Sequence, residues 1–189
     1  TAPAPVPLSA GIETVLVIDT SGSMDDHGRR DLARNAAKQV IDDLPLGARI
    51  GLVGFDSSAD KRASTLTTIT DDSVRTTLSA WIDSHVDADG GTSFRAGFNG
   101  AFEIFRDSTL VAHSERSILF LTDGNNNDGW FDSDNDWVAE QAAVFASDAR
   151  FGVDTQGIVS SYMPIHTFAL GYGADSTKTQ LIATVTDGE

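Results

Sequence analysis

Short apolar runs alternate with amphipathic helical patterns along most of the chain. The run at 14–18 is rich in β-branched residues, which is typical of a strand buried on both faces. Between 29 and 44 apolar residues recur every four positions, as in an amphipathic helix; they are Leu32, Ala36, Val40 and Leu44. Further strands are predicted at 49–55, 64–69, 117–121 and 165–170, and further helices at 72–83, 94–105, 137–149 and 176–185. This alternation predicts an α/β fold with a doubly wound, mostly parallel sheet flanked by helices.

Charge and composition restrict the partners of the chain. Its 189 residues suit one domain, and its formal net charge is −15. A field of this sign repels nucleic acid and anionic membranes, so we expect neither as a partner. No apolar run approaches the roughly 18 residues of a membrane span, so no direct membrane insertion is expected. The sequence has no cysteine, which excludes disulfides, thiolate zinc sites and a cysteine nucleophile.

The chain divides into a short linker and one domain. Residues 1–10 read TAPAPVPLSA, and their proline content predicts an extended linker. Residues 11–189 show no second change of composition and are predicted to form a single domain. Within the domain, the acidic stretch at 124–136 is predicted to be a long loop. The linker favours a domain that belongs to a larger protein or assembly.

Oxygen-bearing side chains follow two predicted strands, at the edge where doubly wound sheets bind their ligands. A D-x-S-x-S turn follows the first strand, with Gly22 permitting the bend. A T-D-G segment follows the central strand, and a threonine lies in the glycine loop at 90–93. The candidate ligands are Asp19, Ser21, Ser23, Thr92 and Asp123. Each motif alone is most often a simple turn, but together, in this order, they predict a site for Mg²⁺ or Ca²⁺ rather than zinc.

These motifs resemble the von Willebrand factor A domain and its metal-ion-dependent adhesion site. The resemblance rests on VLVIDTSGSM, GGTSFRAGFNGAFEIF, ILFLTDG and IHTFALGYG, and it spans nearly all of the domain. It implies a complete site, in which Ser21, Ser23 and Thr92 ligate one divalent ion and Asp19 and Asp123 act largely through water. It also implies that a carboxylate of a protein partner takes the open coordination position. Such domains are found outside the cell or at its surface, which is the location the resemblance implies.

Two further expectations come from the same resemblance. The segment GGTSFRAGFNGAFEIFRDS is similar to the A domain of the accessory subunits of voltage-gated calcium channels. The family adds a sixth strand after its last helix, whereas this sequence stops at residues 186–189, where that strand would begin. We therefore expect the final edge strand to be missing from the chain, or to be supplied from elsewhere.

The acidic loop is a candidate for a second cation site or for partner contact. Its candidate residues are Asp128, Asp132, Asp134 and Asp136. Three of them have the alternate spacing of a calcium loop, but Trp137 stands where an EF-hand needs glycine and Ala143 where it needs glutamate. Trp130 and Phe131 are either core anchors of this loop or exposed contacts beside the metal.

The favoured function is a divalent-cation-dependent protein-binding module for adhesion or assembly, and not an enzyme. One alternative is a Mg²⁺-dependent phosphotransferase or hydrolase, since such enzymes also place a carboxylate after the first strand. They need D-x-D, and Ser21 occupies the position of the second carboxylate. A third hypothesis is a structural part of a larger surface or channel-associated assembly, in which the metal serves folding.

Overall fold

A computed structural model describes residues 11–111, 114–124, 126–127, 129–146, 163–171, 176–186 and 188. Its strands are β1 Ile12–Asp19, β2 Arg49–Phe55, β3 Ala59–Lys61, β4 Thr67–Thr68, β5 Glu115–Thr122 and β6 Ile165–Ala169. Its helices are α1 Arg29–Asp43, α2 Asp72–His85, α3 Phe94–Asp107, α4 Asp132–Val144 and α5 Ser176–Val185, and a 3₁₀ segment covers Gly22–Gly28. None of the described helices is both long enough and apolar enough to cross a membrane.

The sheet is mostly parallel and has β1 at its centre. Strand β1 pairs in parallel with β2 on one side and with β5 on the other, and β6 extends the sheet beyond β5. Strands β3 and β4 are antiparallel to β2, and the order through the sheet is β3-β2-β1-β5-β6. The predicted doubly wound α/β fold is confirmed.

Helices cover both faces of the sheet, because alternate residues of the buried strands point to opposite sides. Leu16 and Ile18 of β1 pack with α1 and α2 on one face. Val15 and Val17 pack with α3, α4 and α5 on the other. All four of these β1 side chains are fully buried. Strand β1 is therefore fixed from both sides, and so is the chain that leaves it.

The second face is dominated by phenylalanine, and α3 packs there at close range. The rings of Phe98 and Phe120 stack with their centroids 4.5 Å apart. A Cβ at Gly97 would lie 2.9 Å from the ring of Phe55, and one at Gly100 would lie 2.9 Å from Val53. These two glycines therefore let α3 approach the sheet closely. This close approach matters for the site because the loop that carries Thr92 leads directly into α3.

Several local predictions need correction. The buried face of α1 is formed by Ala33, Ala37 and Ile41, whereas Leu32 is 48% exposed. The strand predicted at 64–69 is reduced to β4, and the polar strand β3 was not predicted. Helix α4 begins at Asp132 rather than at 137, so the loop predicted over 124–136 is shorter. The linker 1–10 and the predicted end of α4 at 149 lie outside the described residues.

A buried ion cluster lies at the amino end of β1, opposite the candidate site. The Glu13 carboxylate is fully buried and accepts hydrogen bonds from Arg49, from Ser114 Oγ at 2.6 Å and from Arg116 Nε at 2.9 Å. Burial alone would raise the pKa of Glu13, but hydrogen bonds from Ser114, Arg116 and the backbone of Val111 outweigh it and hold the pKa below its ordinary value. The cluster joins the starts of β1, β2 and β5.

We predict that Glu13→Gln lowers the free energy of unfolding at pH 7 by about 3–5 kcal/mol, because it leaves two arginines without their buried counter-charge. The lowered pKa means that Glu13 contributes stability above its unfolded value of 4.5, and that this contribution is lost as the pH falls through the folded value. Urea unfolding of wild type and variant should therefore converge at low pH.

The matched control is Glu103→Gln, which removes a half-exposed carboxylate paired with Lys61. Its cost should be below about 1 kcal/mol, as for most surface pairs. Equal losses in the two variants would contradict a special role for the Glu13 cluster.

Candidate metal centre

The turn after β1 brings the first three predicted residues together. Oδ1 of Asp19 accepts a hydrogen bond from the backbone N–H of Ser21 at 2.9 Å, which closes the turn. The hydroxyls of Ser21 and Ser23 lie 3.1 Å apart. Met24 follows and is fully buried against the α1 side of the sheet, so the turn is anchored on both sides. The two serine oxygens are held as a pair at the carboxyl edge.

The end of β5 meets this turn because β1 and β5 are paired in parallel, with Ile18 opposite Leu121. Thr122 Oγ1 donates a hydrogen bond to Asp19 Oδ2 at 2.5 Å and accepts one from the N–H of Gly124 at 3.0 Å. Asp123 follows, and like Asp19 it is fully buried. Two buried carboxylates thus lie at neighbouring strand ends, as the sequence predicts.

The loop that carries Thr92 is fastened to the same turn through the backbone. The N–H of Gly22 donates to the carbonyl of Gly90 at 3.2 Å, and the N–H of Asp89 donates to the carbonyl of Thr20 at 2.9 Å. Gly90 has φ of +74°, a conformation that suits glycine. Thr92 is buried, and its carbonyl accepts from the N–H of Asn127 at 2.9 Å. The structure thus brings its loop to the site.

The electrostatics of the site follow from burying two acids beside one another. Burial raises the pKa of Asp19 to about 6, and the charge of Asp123 adds to this shift, against the lowering effect of hydrogen bonds from Ser21 and Thr122. Asp123 is paired with the nearly buried Arg29, whose Nη1 lies 2.9 Å from its Oδ2. The sequence interpretation missed Arg29, which showed only as the first residue of a helical pattern.

The residues present fit a small dication that prefers oxygen. Neighbouring ligands of an octahedral Mg²⁺ with bonds of about 2.1 Å lie about 3 Å apart, close to the separation of the Ser21 and Ser23 hydroxyls. Among the residues that the structure describes, no group of three or more histidine, aspartate or glutamate side chains gathers to hold a metal. A cation here would therefore depend on the hydroxyls as well as on Asp19 and Asp123.

The two aromatic residues of the predicted acidic loop, Trp130 and Phe131, have different environments. Trp130 packs against Phe94 and Phe98, and its Nε1 donates to Asn135 Oδ1 at 2.8 Å. Phe131, by contrast, is 69% exposed. Of the two roles considered from the sequence, Trp130 is a core anchor and Phe131 is an exposed side chain.

Asp134 and Asp136, two of the four acidic residues predicted in this segment, lie in different environments. The Asp134 carboxylate is buried, accepts from the N–H of Phe131 at 2.8 Å and pairs with Arg95, so it caps α4. Asp136 is exposed, two positions further along the helix. Asp132 is the first residue of α4, and Asp128 lies outside the described residues. A second cation site in this segment stays a prediction, and Asp134 has a structural role.

Two depressions lie beside the Thr92 loop. One has a volume of about 240 Å³ and is lined by Ser57, Gly91, Thr92, Ser93 and Asn127. The other, of about 210 Å³, includes four carboxylates, Asp56, Asp60, Asp87 and Asp89. Negative charge therefore borders the Thr92 loop on one side, and it favours cations there over anions.

The chain is thus a doubly wound α/β domain that carries hydroxyl and carboxylate oxygens after β1 and β5. The chain belongs to the family of the von Willebrand factor type A domain, whose sequence model matches residues 14–125. The matched span includes all five candidate ligands. No match was found among curated proteins.

Solved structures share this fold. A von Willebrand factor type A structure from Catenulispora acidiphila has a TM-score of 0.64 at 18% identity, covering 94% of this chain and 42% of that one. An aerotolerance-related membrane protein from Bacteroides fragilis has a TM-score of 0.64 at 18% identity, with 94% and 89% covered. The pilus adhesin SpaC from Lactobacillus rhamnosus GG has a TM-score of 0.62 at 15% identity, with 94% and 28% covered. At these identities the likeness shows the fold, and this chain spans less than half of the first and third proteins.

The raised pKa of Asp19 predicts how stability changes with pH when no metal is added. Between its unfolded pKa of 3.8 and its folded pKa of about 6, the folded protein binds more protons than the unfolded one, so stability falls as the pH rises. Asp19→Asn mimics the protonated acid. In chelator at pH 7, the free energy of unfolding of Asp19→Asn should be higher than that of wild type by about 3 kcal/mol.

The measurement is urea unfolding of both proteins in chelator between pH 4 and pH 7. The advantage of the variant should shrink towards zero at the acidic end. A difference in unfolding free energy that is the same at pH 4 and at pH 7 would show that ionised Asp19 does not destabilise the folded protein.

Proposed function

We propose that this domain is a divalent-cation-dependent protein-binding module that acts in adhesion or assembly. Ser21, Ser23 and Thr92 would hold one Mg²⁺ or Ca²⁺ directly, and Asp19 and Asp123 would support it through water. The observation that carries the proposal is the hydroxyl pair, 3.1 Å apart, beside two fully buried carboxylates at the carboxyl edge of the sheet. When bound, the cation supplies a positive centre that can accept an oxygen from outside.

The hydroxyl ligands bear on which partner would bind. Serine and threonine oxygens are neutral, so they leave more charge on a bound cation than carboxylates would. A chain with a net charge of −15 repels an acidic partner unless such a local positive centre is present. This supports a protein partner that presents a carboxylate. We infer that exposed Phe131, in the segment that contacts the Thr92 loop, adds an apolar contact to that partner.

The solved structures that share this fold support a role in adhesion or assembly outside the cell. The structures that share it include a pilus adhesin and a membrane protein, and this chain spans 28% and 89% of their lengths. We therefore propose an extracellular or cell-surface location, within a larger multidomain protein. The similarity to calcium-channel accessory subunits stays a prediction.

The alternative, a Mg²⁺-dependent phosphotransferase or hydrolase, lacks its acid. The second carboxylate of D-x-D is replaced by Ser21, whose backbone N–H instead donates to Asp19. We propose that the domain is not an enzyme. Mg²⁺-dependent hydrolysis of a generic phosphate ester, lost in Asp19→Asn, would favour the alternative.

The metal site is tested by calorimetry with Mg²⁺ and with Ca²⁺. We predict one site in the wild type, and loss of binding by at least about tenfold in both Asp19→Ala and Ser21→Ala, since each removes part of the oxygen set. Ser79→Ala, a serine of α2 remote from the carboxyl edge, is the matched control and should bind as wild type does. Unchanged affinity in both site variants would rule out the assignment.

The docking role is tested by surface plasmon resonance against a partner isolated from the native surface. Chelator should abolish binding, whereas half-molar salt should weaken it only modestly, because a direct metal–carboxylate bond is short and poorly screened. Thr92→Ala should weaken partner binding while the domain stays folded. Phe131→Ser should weaken partner binding without changing metal affinity. Binding that survives chelator and disappears in salt would assign the contact to the acidic surface instead.

A further inference from the structure

Arg29 contacts three separate parts of the carboxyl edge. Its Nη1 donates to Asp123 Oδ2 at 2.9 Å and to the carbonyl of Ser23 at 3.3 Å. Its stem lies against the segment after β6, where a Cβ at Gly171 would be 2.8 Å from Arg29 Cγ. The side chain thus joins the turn after β1, the end of β5 and the residue that follows Leu170.

The backbone at the start of α1 directs Arg29 into the protein and away from solvent. It is the first residue of α1 and follows Gly28, whose φ of +71° turns the chain into the helix. Arg29 is only 7% exposed. Burying a guanidinium is costly unless an ion pair and hydrogen bonds compensate it, and arginine does not lose its charge. Its contacts with Asp123 and Ser23 supply that compensation.

We propose that Arg29 is a positioning residue of the candidate metal site: it holds Asp123 and the serine turn in place in the metal-free protein, and its own charge limits cation affinity. The inference rests on the proposed function. Without Arg29, the edge would lose the guanidinium whose Nη1 lies 2.9 Å from the buried Asp123 carboxylate. A dication would then gain more by binding beside Asp19 and Asp123, and the metal-free protein would be less stable.

The test compares wild type, Arg29→Gln and Arg29→Lys by thermal unfolding in chelator and by calorimetry with Mg²⁺. Arg29→Gln should lower the melting temperature of the metal-free protein by about 6–12 °C, because it breaks a buried ion pair. Its Kd for Mg²⁺ should fall roughly tenfold, because a positive charge near the cation is gone. Arg29→Lys keeps that charge, so its Kd should stay close to wild type.

The matched control is Arg30→Gln, the next residue of the same helix. Arg30 pairs at 3.3 Å with the exposed Asp25, so its loss should change neither the melting temperature nor the Kd appreciably. A merely structural role for Arg29 would lower the melting temperature of Arg29→Gln without tightening Mg²⁺ binding. That result, or equal tightening in Arg30→Gln, would overturn the inference.

Failure of the proposed function gives a different pattern. If neither wild type nor Arg29→Gln bound Mg²⁺ or Ca²⁺, the metal site would be wrong, and the role of Arg29 with it. If only Arg29→Gln bound the metal, Arg29 would be confirmed as the residue that limits affinity, and the native chain would not be a metal-dependent module. Binding in wild type with an unchanged Kd in Arg29→Gln would overturn the inference alone.

Discussion

Parallel pairing of the buried strand β1 with both β2 and β5 is the constraint on which the rest of the structure depends. The β1 side chains from Val15 to Ile18 are fully buried, so a one-residue shift of register would send each of them to the opposite face and disrupt the packing on both. The register sets Ile18 opposite Leu121, and Asp19 then meets Thr122 at the carboxyl edge. The site is a consequence of where two strands end.

The buried ion cluster and the candidate metal site lie at opposite ends of the sheet. The Glu13 cluster ties β1, β2 and β5 together at the amino end, and stacked phenylalanines hold α3 against the middle. The carboxyl end instead carries two buried carboxylates, one of which has its pKa raised to about 6. A site that costs stability in this way is tolerated because the packing elsewhere keeps the strand ends in place.

Much of the fold could be predicted because periodicity records burial directly. The bounds of β2 and α5 match the pattern, and the D-x-S-x-S turn predicts the close approach of Ser21 and Ser23. Strand β3 was missed because two of its three residues are charged and it forms only by pairing with β2. The buried face of α1 was misplaced by one position, since alanines fit closer to the sheet than Leu32 does.

The sequence by itself determined the α/β class, the order of the elements and the oxygen-bearing residues at the strand ends, because these depend on local pattern and spacing. Only the tertiary structure decided the pairing of Arg29 with Asp123, 94 residues away, and the packing of Trp130 against the core beside the exposure of Phe131. Such choices depend on which surfaces meet after the sheet has formed. These contacts join residues that are far apart in the sequence, so the local pattern of residues does not predict them.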